Sequence, residues 1–314
     1  MGVKFSFSSI RWFFIVYTLI TISEAKSIKV YLDWFLNPHH AILVVGQQAG
    51  IFEKQGLEVS LIAAGGSEEG SRQVAAGTAD FAVSKQSAHL IRCTNQDLPL
   101  VRIATIINRP LECMITRENL KAIGDLKGKK IGYTSSSIEF AQLSITAILA
   151  TADLKPSDVT LVPITSGMVS AFLSGTVDAI FSAYRTYELA DIQDHHPQAN
   201  VFYYEHYGIP SYDQGIIVAN RSQLVDATPF VQALQETADF IKYAPDQAWD
   251  LYVKAAPEQN TDKNKRIFMQ IVQMIPESVG KLDLDRYNRF ALFLANNAIL
   301  KKDVPANYAV DGAA

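Results

Sequence analysis

The sequence predicts an α/β protein built from two similar lobes, and three observations support this fold class. The segment AAGTADFAVS at 75–84 is echoed by LSGTVDAIFS at 173–182, each with a Gly-Thr-x-Asp turn before an apolar run that ends in serine. Short apolar runs alternate with longer amphipathic segments around both copies, which is typical of βαβ units and parallel sheets. The order of these segments is the same upstream of each copy. We therefore expect each lobe to contain a mostly parallel sheet flanked by helices.

The predicted elements follow one another in the same order in both lobes. The first lobe is expected to contain strand 28–33, an amphipathic segment at 40–54, strand 57–62, helix 68–76 and strand 80–83. The second is expected to contain strand 130–133, a TSSS loop, helix 138–152, strand 159–162, helix 167–174 and strand 178–182. Sequential strands linked by helices of this length give right-handed crossovers.

The last hundred residues are predicted to be mainly helical. A strand at 215–220 is followed by helical patterns at 227–243, 245–256, 262–275 and 283–299, with Asp283 as the expected N-cap of the last. These helices have no sheet of their own. We therefore expect them to pack on a lobe that already exists, the first.

The N-terminus and the composition restrict the class of protein. Lys4 and Arg11 precede a mostly apolar run at 12–22 and a small-x-small site, so we predict a secretory signal peptide, residues 1–25, cleaved after Ala25. The alternatives are an uncleaved anchor and a buried first helix. The net charge of −4, with no cluster of Lys or Arg, lacks the electrostatic footprint of a nucleic-acid-binding protein.

The candidate site lies where loops follow the carboxyl ends of the strands, because ligands of open α/β sheets bind there. In two facing lobes these ends would line a cleft. Stacking faces for a small aromatic ligand would come from Trp34, Tyr133, Tyr184 and Tyr187. Partners for its amino groups and ring nitrogens would come from Asp33, Asn37, Ser84 and Glu139. His40, on the same loop as Asp33, is a further predicted ligand-binding residue. The structural alternatives are that Trp34 is core, that Glu139 only favours a helix N-terminus, and that the two later tyrosines lie on the surface.

Other kinds of site lack their sequence patterns. His39-His40 and His195-His196 have no accompanying HxxxH or HExxH, so we expect no metal site. GxSxG is absent, and GGSEEG lacks the Lys-Ser/Thr of a phosphate-binding loop. Cys93 and Cys113 could form a disulfide in an oxidising compartment or remain free buried thiols.

Several motifs resemble those of group II periplasmic solute-binding proteins, which include sulfonate, nitrate and thiamine-precursor binders. Asp33-Trp34-x-x-Asn37-x-x-His40, followed by GIFEKQGLEV at 50–59, is similar to the start of that group. LKGKKIG at 126–132 resembles the opening of its second lobe, and the resemblance extends from about residue 28 to 305. It implies the two-lobed, type II periplasmic binding protein fold.

Within that group the sequence most resembles the formylaminopyrimidine-binding proteins, which supply an ABC importer that salvages the thiamine pyrimidine. The shared motifs are D-W-x-x-N-x-x-H and a second-lobe G-Y-x-x-x-x-x-E at 132–139, although Phe35-Leu36 replaces the usual Thr-Pro pair. The resemblance implies a heteroaromatic ligand between Trp34 and a second-lobe tyrosine, with Asn37, Glu139 and Asp213 at its edge. It also implies a monomer without a cofactor, whose partner is a membrane permease.

The same resemblance implies the division of the mature chain. Lobe 1 would comprise 26–110 and 214–314, and lobe 2 would comprise 111–213. The hinge would lie near 104–112 and 207–215, where the chain crosses between the lobes.

Thiamine pyrimidine synthase belongs to the same family and provides the enzymatic alternative. It uses pyridoxal phosphate, iron and one of its own histidines, through a K-x-x-x-H pair and a CCCFC iron motif. Lys85 and His89 keep the K-x-x-x-H spacing but lie one residue later, relative to Asp80, than in the family, and IPSYD at 209–213 replaces CCCFC. One residue turns a helical side chain by about 100°. We therefore predict a binding protein.

A third alternative is a binder of another solute, such as a sulfonate. Sulfonate pockets usually favour backbone N–H groups, hydroxyls or arginine. Asp33 and Glu139 in the cleft would argue against that ligand.

Overall fold

The computed structural model describes residues 1–2, 25–66, 68–134, 138–224 and 227–312, without the side chains of Ile138 and Glu139. The apolar run of the predicted signal peptide lies outside these residues. No helix within the described ranges is long and apolar enough to cross a membrane.

Ten strands form two five-stranded sheets in the described part of the chain. They are β1 Lys26–Tyr31, β2 Leu57–Ile62, β3 Phe81–Ser84, β4 Leu100–Ile107, β5 Glu112–Thr116, β6 Lys130–Tyr133, β7 Thr160–Pro163, β8 Ala179–Tyr184, β9 Asn200–Tyr203 and β10 Gly215–Asn220. The first sheet has the order β2-β1-β3-β10-β4 and the second β7-β6-β8-β5-β9. The echo in the sequence thus corresponds to a repeated topology, because β3 and β8 follow the two Gly-Thr-x-Asp turns at equivalent places.

Both sheets are mixed. β1, β2 and β3 pair in parallel, as do β6, β7 and β8. The fourth strand of each sheet runs antiparallel to both of its neighbours: β10 between β3 and β4, and β5 between β8 and β9. These two strands come from the places where the chain has just crossed from the other lobe. The predicted lobe limits at 110/111 and 213/214 fall in these crossings and stay a prediction.

Helices cover the faces of both sheets. They are α1 Ala41–Gln48, α2 Ile51–Lys54, α3 Glu69–Ala75, α4 Gln86–Asn95, α5 Ile138–Ala150, α6 Met168–Leu173, α7 Glu188–Gln193, α8 Ala227–Tyr243, α9 Pro245–Ala255, α10 Asp262–Val272 and α11 Leu284–Asn296. The predicted segment 40–54 is divided into α1 and α2 because Gly50 adopts a φ of +67°, a left-handed conformation that favours glycine. The sequence patterns did not predict α4, α7, β5 or β9, and the expected crossover near 104–112 includes only the end of β4.

The core explains where the C-terminal helices lie. α1 packs against α8 and α9 on the outer side of the first sheet, where Phe230 stacks on Phe81 with ring centroids 4.4 Å apart. The last helix, α11, also reaches the second lobe, because Phe290 contacts Phe140 of α5 at 6.0 Å. The expected packing on the first lobe therefore holds for α8 to α10, although α10 also forms an ion pair with Asp191 of α7, and α11 contacts both lobes.

Candidate functional site

A cavity of about 720 Å³ lies between the two lobes. Loops and strand ends of both sheets line it: Asp33 after β1, Lys85 after β3, Thr134 after β6 and Tyr184 at the end of β8. These positions are the carboxyl ends of parallel strands, where the backbone leaves the sheet and presents side chains to a ligand. The volume is within the range of small-molecule sites.

The loop after β1 is fixed by its own polar side chains. The Asn37 side chain accepts a hydrogen bond from the His39 N–H at 3.0 Å and donates to the Phe35 carbonyl at 2.7 Å. It thereby caps the 3₁₀ turn Pro38–His40 that leads into α1. Asn37 therefore lines the cavity with its amide engaged in the turn.

Asp33 and His40 form a close pair in this loop. The His40 Nε2 lies 2.8 Å from the Asp33 carboxylate, and both residues line the cavity. Burial raises the pKa of Asp33, but its hydrogen bond to His40 and the neighbouring charges outweigh that effect and lower it to about 2. Asp33 is thus ionised at neutral pH and able to accept hydrogen bonds from an amino group.

Trp34 lies at the mouth of the cavity and is not a core residue. Its side chain is 53% exposed and contacts Phe35 edge to face, with centroids 5.4 Å apart. Because the ring is half exposed and lines the cavity, it is available to cover the face of a ligand.

His39 connects the two lobes across the cavity. Its Nε2 lies 3.1 Å from the Thr186 hydroxyl, and its ring contacts Tyr184 and Tyr187 at centroid distances of 5.9 and 5.2 Å. Burial lowers the pKa of His39 to about 3, so the imidazole is neutral. At the rim, Lys263 of α10 pairs with Asp191 of α7 at 2.7 Å. These contacts therefore hold the two lobes together beside the cavity.

A second group of polar side chains surrounds Lys85 on the floor of the cavity. The Lys85 ammonium donates to the Tyr184 hydroxyl at 2.5 Å and lies 3.5 Å from the Glu112 carboxylate. Gln214 donates to both of these partners, and Tyr212 donates to Glu112 at 2.7 Å. Although burial disfavours the ammonium, Tyr184 and Glu112 hold the pKa of Lys85 above its ordinary value. Lys85 is therefore a protonated, engaged cation rather than a free amine.

His89 is not part of the cavity lining. The ring is fully buried, with Nε2 2.7 Å from the Tyr308 carbonyl oxygen and Cys93 alongside, and burial lowers its pKa to about 4. Lys85 precedes α4 as its N-cap, whereas His89 lies one turn inside that helix, on the face that packs into the core. The structure thus does not bring the K-x-x-x-H pair together in the cavity.

The remaining predicted residues divide into three groups. Tyr184 and Tyr187 line the cavity as expected, which makes neither a purely surface residue. Ser84, Tyr133 and Asp213 are not among the described residues of the lining. The structure does not describe the side chain of Glu139.

The three residues outside the lining have other contacts that explain their positions. Ser84 is buried beside β10 and accepts a hydrogen bond from Arg92 at 3.2 Å. Asp213 is buried, where it accepts from Thr105 at 2.6 Å and pairs with Arg286 of α11. Tyr133 packs at the edge of the core between the lobes.

Three acidic or amide side chains that line the cavity were not predicted as site residues: Glu112, Glu188 and Gln214. Glu112 was placed in a hinge, although an acid inside the apolar run 111–116 could have indicated a buried partner such as Lys85. Glu188 accepts a hydrogen bond from the Tyr184 N–H at 2.8 Å, and burial raises its pKa.

Within the described residues there is neither a metal-binding cluster nor a lysine–histidine pair in the cavity. No group of three or more His, Cys, Asp or Glu within the described ranges could hold a metal ion. The segment 209–213 belongs to the crossing between the lobes, with Tyr212 engaged to Glu112. Lys85 is engaged by Tyr184 and Glu112, and His89 is turned into the core, where it contacts Tyr308. Cys93 and Cys113 are free and buried, and burial raises the pKa of both thiols.

Two mixed α/β lobes closed on a cavity define the periplasmic binding protein fold, and solved structures share it. The periplasmic aliphatic sulphonate binding protein SsuA from Escherichia coli superposes with a TM-score of 0.69 at 16% identity, over 89% of this chain and 95% of that one. The alkanesulfonate-binding protein SsuA from Xanthomonas axonopodis, bound to MOPS, gives 0.65 at 16% identity, over 92% and 99% of the two chains.

The chain belongs to the NMT1/THI5-like family, whose model matches residues 37–248. A thiamine biosynthesis protein from Haemophilus influenzae is 34% identical over 96% of this chain and 98% of its own length. The formylaminopyrimidine-binding protein from Halalkalibacterium halodurans is 23% identical over 75% and 72% of the two chains. The 4-amino-5-hydroxymethyl-2-methylpyrimidine phosphate synthase from Uromyces fabae is also 23% identical, over 91% and 87%.

Proposed function

We propose that this protein is a non-catalytic solute-binding protein that holds a small aminopyrimidine precursor of thiamine, of the formylaminopyrimidine or hydroxymethylpyrimidine type, between its lobes. The observation that carries the proposal is a cavity whose aromatic faces and ionised carboxylate come from loops of both lobes. Trp34 belongs to the first lobe, whereas Tyr184 and Tyr187 belong to the second. A flat ring can be covered on both faces only when the lobes are closed. Closure then follows from contacts made to both lobes.

The charges of the lining favour an amine over an anion. Asp33, Glu112 and Glu188 contribute carboxyl groups, and Lys85 is the one Lys or Arg side chain among the described residues of the lining. That ammonium is already engaged by Tyr184 and Glu112. A sulfonate or phosphate would therefore find no free cation, whereas the exocyclic amino group of a pyrimidine would find the ionised Asp33 carboxylate.

The polar geometry also favours binding over synthesis. A synthase needs an amine that is free to react with an aldehyde, whereas the Lys85 amine is engaged by Tyr184 and Glu112. It also needs its reacting histidine near that amine, whereas His89 contacts Tyr308 in the core. Synthase activity with Lys85 and His89 as catalytic residues remains the second candidate because Lys85 does line the cavity.

The proposed location and partner follow from the same assignment. We propose that residues 1–25 direct the chain out of the cytoplasm and are removed, and that the mature monomer delivers its ligand to an ABC permease. The homologous formylaminopyrimidine-binding protein and the shared periplasmic binding protein fold support this proposal.

Isothermal titration calorimetry of the purified protein tests the ligand class. The panel consists of formylaminopyrimidine, hydroxymethylpyrimidine, thiamine, pyridoxal phosphate and an alkanesulfonate. We expect a micromolar or tighter dissociation constant for one of the aminopyrimidines. This corresponds to about 8 kcal/mol over about ten non-hydrogen atoms, within the limit for small ligands. Tight sulfonate binding with no heat from any pyrimidine would overturn the proposal.

The same protein preparation tests the enzymatic alternative. Pyridoxal phosphate should produce no new visible absorbance band, because the Lys85 amine is occupied by its contacts with Tyr184 and Glu112. A band that appears in the wild type and disappears in Lys85→Ala would instead support the synthase.

A further inference from the structure

One wall of the cavity has a polar group without a partner. Phe140, Ala141 and Ser144 line the cavity from α5, at positions that share one face of that helix. The Ser144 side chain is fully buried, and its hydroxyl makes no hydrogen bond to any described residue. We call Phe140, Ala141 and Ser144 the α5 wall.

The unpaired Ser144 hydroxyl destabilises the fold, so its presence in the cavity wall requires an explanation. A buried hydroxyl without a hydrogen bond is destabilising, and a helical serine can usually avoid this by donating to the carbonyl four residues earlier. Thr146, on the exposed face of the same helix, makes that bond to the Gln142 carbonyl at 2.7 Å. Ser144 does not, although it has the same option.

The backbone facing the same cavity is also unusual. Ser182, in β8, adopts a φ of +63°, which is uncommon for a residue other than glycine. Its N–H donates to the Tyr204 hydroxyl at 3.1 Å, and both residues line the cavity. Such conformations cluster at ligand sites, where the surrounding structure holds them. The polar groups of Ser144, Ser182 and Tyr204 are all uncharged hydroxyls, and burial raises the pKa of Tyr204.

We infer that the α5 wall forms a subsite for an uncharged hydrogen-bonding substituent of the ligand, recognised by the Ser144 hydroxyl. This inference rests on the proposed function and specifies it further, because it assigns the part of the ligand that lies beyond the ring. Phe140 and Ala141 cover the apolar part of the substituent, and Ser144 makes with it the hydrogen bond that no described residue provides. A hydroxymethyl or formamide group has this chemistry.

A double-mutant cycle between protein and ligand tests the subsite. The two ligands are hydroxymethyl aminopyrimidine and its methyl analogue, which differ only in one hydroxyl. Dissociation constants are measured by calorimetry for the wild type and for Ser144→Ala, with Thr146→Ala as the control that removes a hydroxyl from the same helix on its exposed face.

We expect Ser144→Ala to weaken binding of the hydroxymethyl ligand about tenfold and to change binding of the methyl analogue by less than about twofold. The melting temperature of Ser144→Ala should not fall, since the substitution removes an unsatisfied group. Thr146→Ala should leave both affinities unchanged.

The possible failures are distinguishable. If the wild type binds no aminopyrimidine, formylaminopyrimidine included, the proposed function fails and the subsite fails with it. If it binds formylaminopyrimidine alone, the proposed function stands and the hydroxymethyl subsite is wrong. If the wild type binds both but Ser144→Ala weakens both ligands equally, or weakens neither, the proposed function stands and the subsite is wrong.

Discussion

The buried pair of Lys85 and Glu112 offers a stringent test of the cavity floor. The two side chains are 17% and 10% exposed, and their charged atoms are 3.5 Å apart. Removing one partner of a buried pair typically costs about 3–5 kcal/mol, because the other charge is left without compensation. We therefore expect Glu112→Gln and Lys85→Met each to lower the free energy of unfolding by about 3 kcal/mol.

The double variant distinguishes a true pair from two independent residues. With both charges removed, neither desolvation penalty remains, so Lys85→Met/Glu112→Gln should be less destabilised than the sum of the single variants by about 2 kcal/mol or more. Urea unfolding followed by circular dichroism measures all four proteins. Additivity within about 0.5 kcal/mol would refute the pairing and, with it, the description of Lys85 as an engaged cation.

Three further substitutions test other parts of the site. Asp33→Asn should remove a stabilisation of about 2 kcal/mol that is fully present above the ordinary pKa of 3.8 and is lost as the pH falls through about 2. Acid unfolding measures this, and an unchanged profile in that window would contradict the depressed pKa. Trp34→Ala should weaken aminopyrimidine binding about tenfold in calorimetry with little effect on melting, because the ring is half exposed. The matched control is Tyr243→Ala at the exposed end of α8, and equal losses in both variants would contradict a stacking role. His89→Ala should destabilise the protein by about 1–3 kcal/mol in urea, by leaving the Tyr308 carbonyl unpaired, and should leave ligand affinity unchanged. A loss of affinity without a loss of stability would place His89 in the site.

Much of the fold could be predicted because it depends on local patterns. The Gly-Thr-x-Asp turns before β3 and β8 marked two equivalent units, and the apolar periodicity located α8 to α11. The position of α11 could not be predicted in the same way. The contact between Phe290 and Phe140 joins residues 150 positions apart, and a helical period does not indicate which lobe its apolar face meets.

The candidate site was predicted less completely, for physical reasons. A residue after a strand can turn toward the cleft or into the core, and only packing decides between them. Asp33 and Tyr184 face the cavity, whereas Ser84 and Asp213 satisfy Arg92 and Arg286 instead. Glu112 begins β5 and Ser144 lies inside α5, so neither follows the carboxyl end of a strand. The Ser144 hydroxyl is recognisable only as an unpaired atom in three dimensions.

The most direct test of the central claim is a crystal structure of the protein with hydroxymethyl aminopyrimidine bound. We predict that the ring lies between Trp34 and the Tyr184–Tyr187 side of the second lobe, with its amino group at the Asp33 carboxylate. The lobes should be closed, and His39 should still contact Thr186. A ligand bound outside this cavity, or a cofactor attached covalently to Lys85, would contradict the assignment of a binding protein.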